Sequence, residues 1–288
     1  MKRGSHKAAA AEFGSQTAIQ WELRQGDCLQ LLATLADLSV DVVITDPPYD
    51  EHTHASGRRG SKSLHAGYRE AQTSRRASIS RARELGFDAL TVGQMNATAM
   101  QFARITKRWV LIFCSLEMIS DWRAALTGHG LEYVRTCLWH KIGSSPQFTG
   151  DRPAVAAEAI IVAHRPGKKR WNGGGKHGWY QHDDLPQLVY ERPIVLERLG
   201  HTEPRLHTTQ KPLALIRELV EDFSDPGELI LDAYAGSATT LVAASQLGRN
   251  SIGFELDAVY HDIGTRRLSG EEAKPRTEQP SLLDWKST

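Results

Sequence analysis

Leu229-Ile230-Leu231-Asp232-Ala233-Tyr234-Ala235-Gly236-Ser237-Ala238-Thr239-Thr240 reads as a short apolar strand that ends on an acid, a turn of small residues and the opening of a helix. Such a turn presents backbone N–H groups and the positive end of a helix dipole to a ligand. Further on, Glu255 ends the next strand, Ser251 to Phe254. Its carboxylate suits the two hydroxyls of a ribose, as in dinucleotide folds, or it is simply a surface strand end. Upstream, Leu213, Leu215, Ile216, Leu219, Val220 and Phe223 give a helix after Pro212 with one apolar face.

Toward the amino end strands and helices alternate as well, with no internal repeat. Ile19 to Arg24 alternates as a half-buried strand ending at Gly26-Asp27, and a leucine-rich helix follows. Val40 to Thr45 is a β-branched run that stops at Asp46-Pro47-Pro48-Tyr49. A helix over about 89–106, a strand Trp109 to Phe113 and strands at Tyr133–Trp139 and Ala159–Ala163 complete the series. Alternation of this kind predicts an α/β fold, a mainly parallel sheet covered by helices on both faces.

The 288 residues carry 35 Lys+Arg against 34 Asp+Glu and are 40% hydrophobic, the composition of a globular protein able to bury a sizeable core. Three cysteines, Cys28, Cys114 and Cys137, exclude a disulfide framework or a four-thiolate zinc site and point to a reducing compartment. The chain has no apolar run approaching the ~20 residues of a membrane span. A net charge of +1 argues against a protein-wide nucleic-acid footprint, yet the distribution is uneven. Residues 51–83 hold eight Lys/Arg against Glu51 and Glu70, and residues 165–176 hold five cations and no acid. Residues 1–18 look like a tag or linker. The expected organisation is a single domain over 19–268, containing a flexible basic loop at 51–86 and a target-recognition region at about 140–205, then a polar tail over 269–288.

Asp46-Pro47-Pro48-Tyr49 carries the chemistry. Two prolines fix the backbone and remove donors where an acid and an aromatic ring project from a strand end. The Asp46 carboxylate and the Pro47 carbonyl offer acceptors for both hydrogens of an exocyclic amine, and Tyr49 offers a flat face. A plain strand-terminating turn is the alternative.

Thr45-Asp46-Pro47-Pro48-Tyr49, His207-Thr208-Thr209-Gln210-Lys211-Pro212, Leu231 to Thr240 and Gly248 to Glu255 together resemble the DNA amino-methyltransferases that use S-adenosylmethionine. Because the Asp-Pro-Pro-Tyr element precedes the glycine turn, the order resembles the circularly permuted β group. The resemblance covers roughly residues 20–268 and departs mildly from the family pattern at Thr208, Ala233 and Ala238. It implies a Rossmann-like methyltransferase fold in which Asp232, Ala233, Tyr234, Ala235, Gly236, Ser237 and Thr239 line the cofactor and Glu255 holds its ribose. Asp27 and Cys28 match positions near the adenine, Lys211 a position near the methionine carboxylate, and Asp46 and Pro47 the reacting centre; Cys28 alone reads equally as an inert buried thiol. Glu158 also matches a family position.

The implied reaction is methyl transfer to adenine N6 in double-stranded DNA. Cytosine N4 is the alternative base, and an RNA methyltransferase a more distant one. Asp46 as the first residue of the tetrad favours adenine in this family. The target base leaves the duplex, with Tyr49 stacking on it, and neither a metal nor a covalent nucleophile is required. DNA contacts are expected from Arg58, Arg59, Lys62, Arg75 and Arg76 in the basic loop, from Lys141, Ser144, Ser145, Gln147 and Arg152, and from Lys168, Lys169 and Arg170. Solvated charge is the bland reading of both blocks. The resemblance further suggests a cytoplasmic protein of a bacterium or phage acting at the nucleoid, within a restriction-modification setting, and a homodimer. The tail segment Gln279 to Trp285 suggests a sliding-clamp ligand, or a tail that packs on its own domain.

Overall fold

The computed structural model describes residues 19–49, 90–142, 151, 153–183 and 210–271. The expectations for residues 1–18, 51–86, 184–209 and 272–288 therefore lie outside the described residues, as do Arg58, Arg59, Lys62, Arg75, Arg76, Ser144, Ser145, Gln147 and Arg152.

In chain order the elements are β1 (Trp21–Gln25), α1 (Cys28–Ala33), β2 (Val40–Thr45), α2 (Val92–Ile105), β3 (Thr106–Cys114), α3 (Ile119–Gly128), β4 (Glu132–Ile142), β5 (Ala157–His164), β6 (Trp179–Asp183), α4 (Leu213–Phe223), β7 (Leu229–Asp232), α5 (Thr239–Gln246), β8 (Asn250–Glu255) and α6 (Ala258–Ser269). The strands form one sheet in the order β1-β8-β7-β2-β3-β5-β4-β6. Every neighbouring pair is parallel except the two made by β5, which runs against β3 and β4.

The central strands are apolar throughout because both faces are covered. In β3, Val110, Ile112 and Cys114 join one core with Met95, Phe102 and Trp122 of α2 and α3. Their neighbours Trp109, Leu111 and Phe113 join the opposite core with Leu215, Leu219 and Phe223 of α4. The period of two across the sheet thus feeds two helical layers. Helix α2 starts at a capping box, where Thr91 accepts from the Gln94 backbone and the Gln94 side chain accepts from Thr91 N, satisfying donors a helix start leaves orphaned. At its other end Arg165 closes the carbonyls of Ala103 (2.6 Å) and Thr106 (2.8 Å), and the chain turns directly into β3.

Two expectations change. The sequence places Tyr133–Trp139 and Ala159–Ala163 in a parallel β/α series, whereas β4 and β5 are an antiparallel hairpin. Helices α3 and α6 and strand β6 extend the predicted series.

This topology decides where a ligand can sit. From the adjacent pair β7 and β2, the chain winds outward through β8 on one side and through β3 on the other. Such a reversal opens a crevice at the carboxyl ends of the strands. Asp46 and Asp232 end those two strands.

Candidate active site

The carboxyl ends of β1, β2, β3, β4, β7 and β8 and the amino end of β5 supply the residues of this crevice. β2 pairs with β7 through Val42↔Ile230 and Val43↔Leu231, so Thr45 lies beside Asp232, and the Thr45 hydroxyl donates to Asp232 Oδ1 at 2.8 Å. Tyr234 N donates to the same oxygen at 3.1 Å. Asp232 is buried, and burial pushes its pKa up. Its hydrogen bonds tie β2, β7 and the turn that follows into one frame.

The turn after β7 is shaped by backbone conformation. Gly236 has φ 53° and Ala238, at the helix N-cap, has φ 62°; the second is a left-handed geometry that costs a residue with a Cβ of order 1 kcal/mol. Glu255 braces this turn from β8: Oε2 accepts from Gly236 N at 2.7 Å and Oε1 from Asp257 N at 2.8 Å. Each carboxylate oxygen keeps a further lone pair for a hydroxyl. Gly253 lets β8 approach closely, since a Cβ there would lie 2.8 Å from Leu241 Cδ1 and 3.1 Å from Ala235 Cβ. Across the turn, Ser237 Oγ donates to Gln210 (3.0 Å), and Arg267 of α6 holds the Ser237 carbonyl (2.7 Å) and Thr239 Oγ1 (3.0 Å). Asp27 caps α1 by accepting from Gln30 N. Burial pushes the Cys28 thiol up, and the Tyr234 hydroxyl pairs with Thr98 Oγ1 at 3.3 Å.

The second half of the crevice is a cluster of alternating charge. Lys211, buried just before α4, places Nζ 2.5 Å from Asp46 Oδ2 and 3.2 Å from Glu158 Oε2. Glu158 accepts the Tyr49 hydroxyl at 2.6 Å through Oε2, and Lys141 pairs with its Oε1. The Lys211 ammonium lies 5.6 Å from the centre of the Tyr49 ring and 5.2 Å from that of Phe113, within cation–π range. The other oxygen of Asp46, Oδ1, is buried and has no hydrogen-bond partner among the described residues. A buried acceptor left unpaired costs about 1–3 kcal/mol.

Electrostatics separates the two acids. Burial, partly offset by Lys211 and reinforced by Glu158, pushes the Asp46 carboxyl above the usual carboxylate range. Burial also opposes ionisation of Glu158, but Lys211 and Lys141 outweigh it and hold the group well below that range. Lys211 is raised, since Asp46 and Glu158 outweigh its own burial. Burial, with Asp46 and Glu158 close by, pushes Tyr49 far up, so its hydroxyl remains a donor.

The structure brings Asp46, Pro47, Pro48, Tyr49, Lys211 and Asp232 to one crevice and sets the Ala233–Thr239 turn and Glu255 beside it. Lys211 bonds Asp46 and Glu158, and Lys141 bonds Glu158, so both belong to the cluster around the tetrad. Lys169 and Arg170 are elsewhere. Lys169 pairs with Glu132 at the start of β4, and Arg170 with Asp225 and Glu228 (2.8 Å) ahead of β7. That is the amino end of the parallel strands, opposite Asp46; Lys168 beside them is exposed. Thr45 and Gln210 lie inside the motifs that carry the resemblance without having been singled out, and Arg267 enters the site without a local sequence signal. Glu158 had one, a carboxylate inside the otherwise apolar strand Ala157–His164.

The family described as DNA methylase matches residues 40–266. Among curated relatives, YubD of Escherichia coli (strain K12) is 27% identical over 254 residues, covering 85% of this chain and 88% of YubD. The M1.HpyAVI–SAM complex shares 20% identity at a TM-score of 0.58, covering 86% of this chain and 99% of that one. The PvuII DNA methyltransferase, cytosine-N4-specific, shares 14% identity at a TM-score of 0.59, covering 88% and 95%. At these identities the structures speak for the fold.

Proposed function

This chain belongs to the DNA methylase family, and from that premise we propose that it transfers a methyl group from S-adenosylmethionine to adenine N6 in double-stranded DNA, as a β-group enzyme. The observation that carries the reading is the buried, unpartnered Oδ1 of Asp46 beside Tyr49. An exocyclic amine is the donor such an oxygen lacks.

The cofactor half of the crevice fits that molecule. The left-handed Gly236–Ala238 turn, the spare acceptor capacity of Glu255 and the close approach at Gly253 make a cradle that a nucleoside with a charged amino-acid tail would fill. Glu255 would hold the ribose, Asp27 and Cys28 would border the base, and Ala233 to Thr239 would line the tail. A solved relative of the same fold carries SAM. When bound, S-adenosylmethionine supplies an electrophilic methyl on a sulfonium.

The chain's own task is to prepare the nitrogen. The lone pair of an aromatic amine is delocalised into the ring, so the amine must be drawn toward tetrahedral geometry. Asp46 Oδ1 and the Pro47 carbonyl accept its two N–H bonds, and the prolines keep both acceptors fixed. As the nitrogen gains positive charge, the Asp46 carboxylate stabilises it, while Tyr49 holds the ring plane and aligns the reactants. The base must leave the stack to get there. Cations in the 51–83 segment and the residues between β4 and β5, including Ser144, Ser145, Gln147 and Arg152, are the proposed DNA contacts; Lys169 and Arg170, with acid partners on the far end of the sheet, are not.

Asp46 as the first member of the tetrad supports adenine; the shared fold with a cytosine-N4-specific enzyme keeps cytosine N4 as the second reading. Digestion of methylated duplex DNA to nucleosides distinguishes them, N6-methyl-2′-deoxyadenosine being expected. Asp46→Ala is expected to abolish transfer while S-adenosylmethionine still binds; full activity in that variant would refute the proposed site.

A further inference from the structure

We propose that Glu158 is the positioning residue of methyl transfer: one carboxylate fixes the stacking tyrosine and, through Lys211, decides which oxygen of Asp46 is left for the target amine. The inference rests on the amine reading of Asp46. Glu158 Oε2 receives both the Tyr49 hydroxyl (2.6 Å) and the Lys211 ammonium (3.2 Å), while Oε1 is held by Lys141. Lys211 reaches on to Asp46 Oδ2 at 2.5 Å. The chain Lys141–Glu158–Lys211–Asp46 therefore alternates in sign and sums to zero. Glu158 and Lys211 are each 8% exposed, so little water competes for these bonds.

An ammonium has three donors and no directional preference between two carboxylate oxygens. Without the charge at Glu158, Lys211 is free to bridge both oxygens of Asp46 and to compete with the amine for Oδ1. The Tyr49 ring is fixed at both ends as things stand, by Pro47-Pro48 in the backbone and by Glu158 at the hydroxyl. The proposal thus joins the stacking partner and the amine acceptor through one residue on a different strand. Facing this pair are Lys211 before α4, Lys141 on β4, Asp232 on β7, Tyr49 beyond β2, and Cys114 with Glu117 at the end of β3.

Glu158→Gln keeps the shape, and its amide oxygen can still accept from Tyr49. In the full chain acting on duplex DNA, kcat is expected to fall on the order of 10- to 100-fold, the range of outer-shell partners, with S-adenosylmethionine affinity within about threefold. Asp46 loses a like-charged neighbour, so the acid limb of the kcat–pH profile moves to lower pH. Tyr49→Phe is expected to lower kcat less and leave the limb in place. A folded Glu158→Gln protein with an unmoved limb overturns the inference. Should that variant fail to fold, Lys141→Gln tests the same chain from its other end: it leaves Lys211 to serve both acids, the limb rises, and an unmoved limb is again refuting. Asp46→Ala separates the two levels, since an inactive Asp46→Ala beside an unmoved Glu158→Gln limb defeats only the role of Glu158.

Discussion

Lys211→Met removes the cation between two buried carboxylates and retains most of the side-chain volume. The side chains of Lys211, Glu158 and Asp46 are 9%, 10% and 22% exposed, so the loss is not absorbed by solvent as it would be at a surface pair. Glu158 keeps Lys141. Asp46 keeps no cation, and its simplest escape is to take up a proton. Asp46 is already raised to about 6 in the wild type, so at 1.36 kcal/mol per pH unit that escape costs the variant about a further 1.4 kcal/mol at pH 7 and almost nothing at pH 5. Urea unfolding of both proteins at the two pH values, followed by tryptophan fluorescence, should therefore show a stability gap that shrinks by more than half on acidification. A gap equal at both pH values, or below about 1 kcal/mol at pH 7, would refute the reasoning. In the wild type the two acids act oppositely. The lowered Glu158 contributes stability present above its ordinary 4.5 and lost as pH falls, whereas the raised Asp46 is protonated in the folded state above 3.8 and costs stability as pH rises through its shifted value.

Tyr49→Ala should slow transfer to a base-paired target more than to a mismatched one, because stacking repays the cost of extruding the base; equal losses in single-turnover assays would remove the stacking role. Gly253→Val drives a side chain into Leu241 and Ala235, with an expected loss of about 1–3 kcal/mol and weaker S-adenosylmethionine binding by calorimetry; unchanged values would show the turn to be tolerant there. Neutralising Arg58, Arg59, Arg75 and Arg76 together should flatten the dependence of log Kd on log salt by up to roughly 3–4, at about 0.9 per phosphate contact, whereas Arg170→Ala, removing a cation already paired with Asp225 and Glu228, should leave that slope unchanged.

The parts legible in the sequence are those whose signal is local. The apolar runs of β2, β7 and β8, the acids that end them and the rigid Asp-Pro-Pro-Tyr turn each declare themselves within a dozen residues. Helix α6 was not legible because its buried face is narrow, with Ile263 and Gly264 as its buried residues, too little for a periodic signal. The reversal of β5 is a matter of register between distant strands, and a continuous apolar run reads the same in either direction. Lys211 illustrates the limit most clearly. Its neighbours in sequence identify the motif, but its bond to Asp46 spans 165 positions and depends on how α4 is docked. No local pattern encodes which of two anionic partners, a ligand carboxylate or a buried aspartate, receives a lysine.

The hairpin of β4 and β5 has a consequence for modularity. Its strands stay in register up to Trp139↔Glu158 and His140↔Ala157, Lys141 N still bonds the Ala156 carbonyl at 2.8 Å, and the Lys141–Glu158 ion pair cross-braces the two stems. Everything between 143 and 156 leaves and re-enters the sheet through that fastening. The stretch between these two stems can therefore change in length or composition without transmitting strain to Asp46 or Tyr49. Under the proposed function, exchanging it between related chains with Lys141 and Glu158 retained is expected to alter the DNA contacts while the chemical apparatus stays in place.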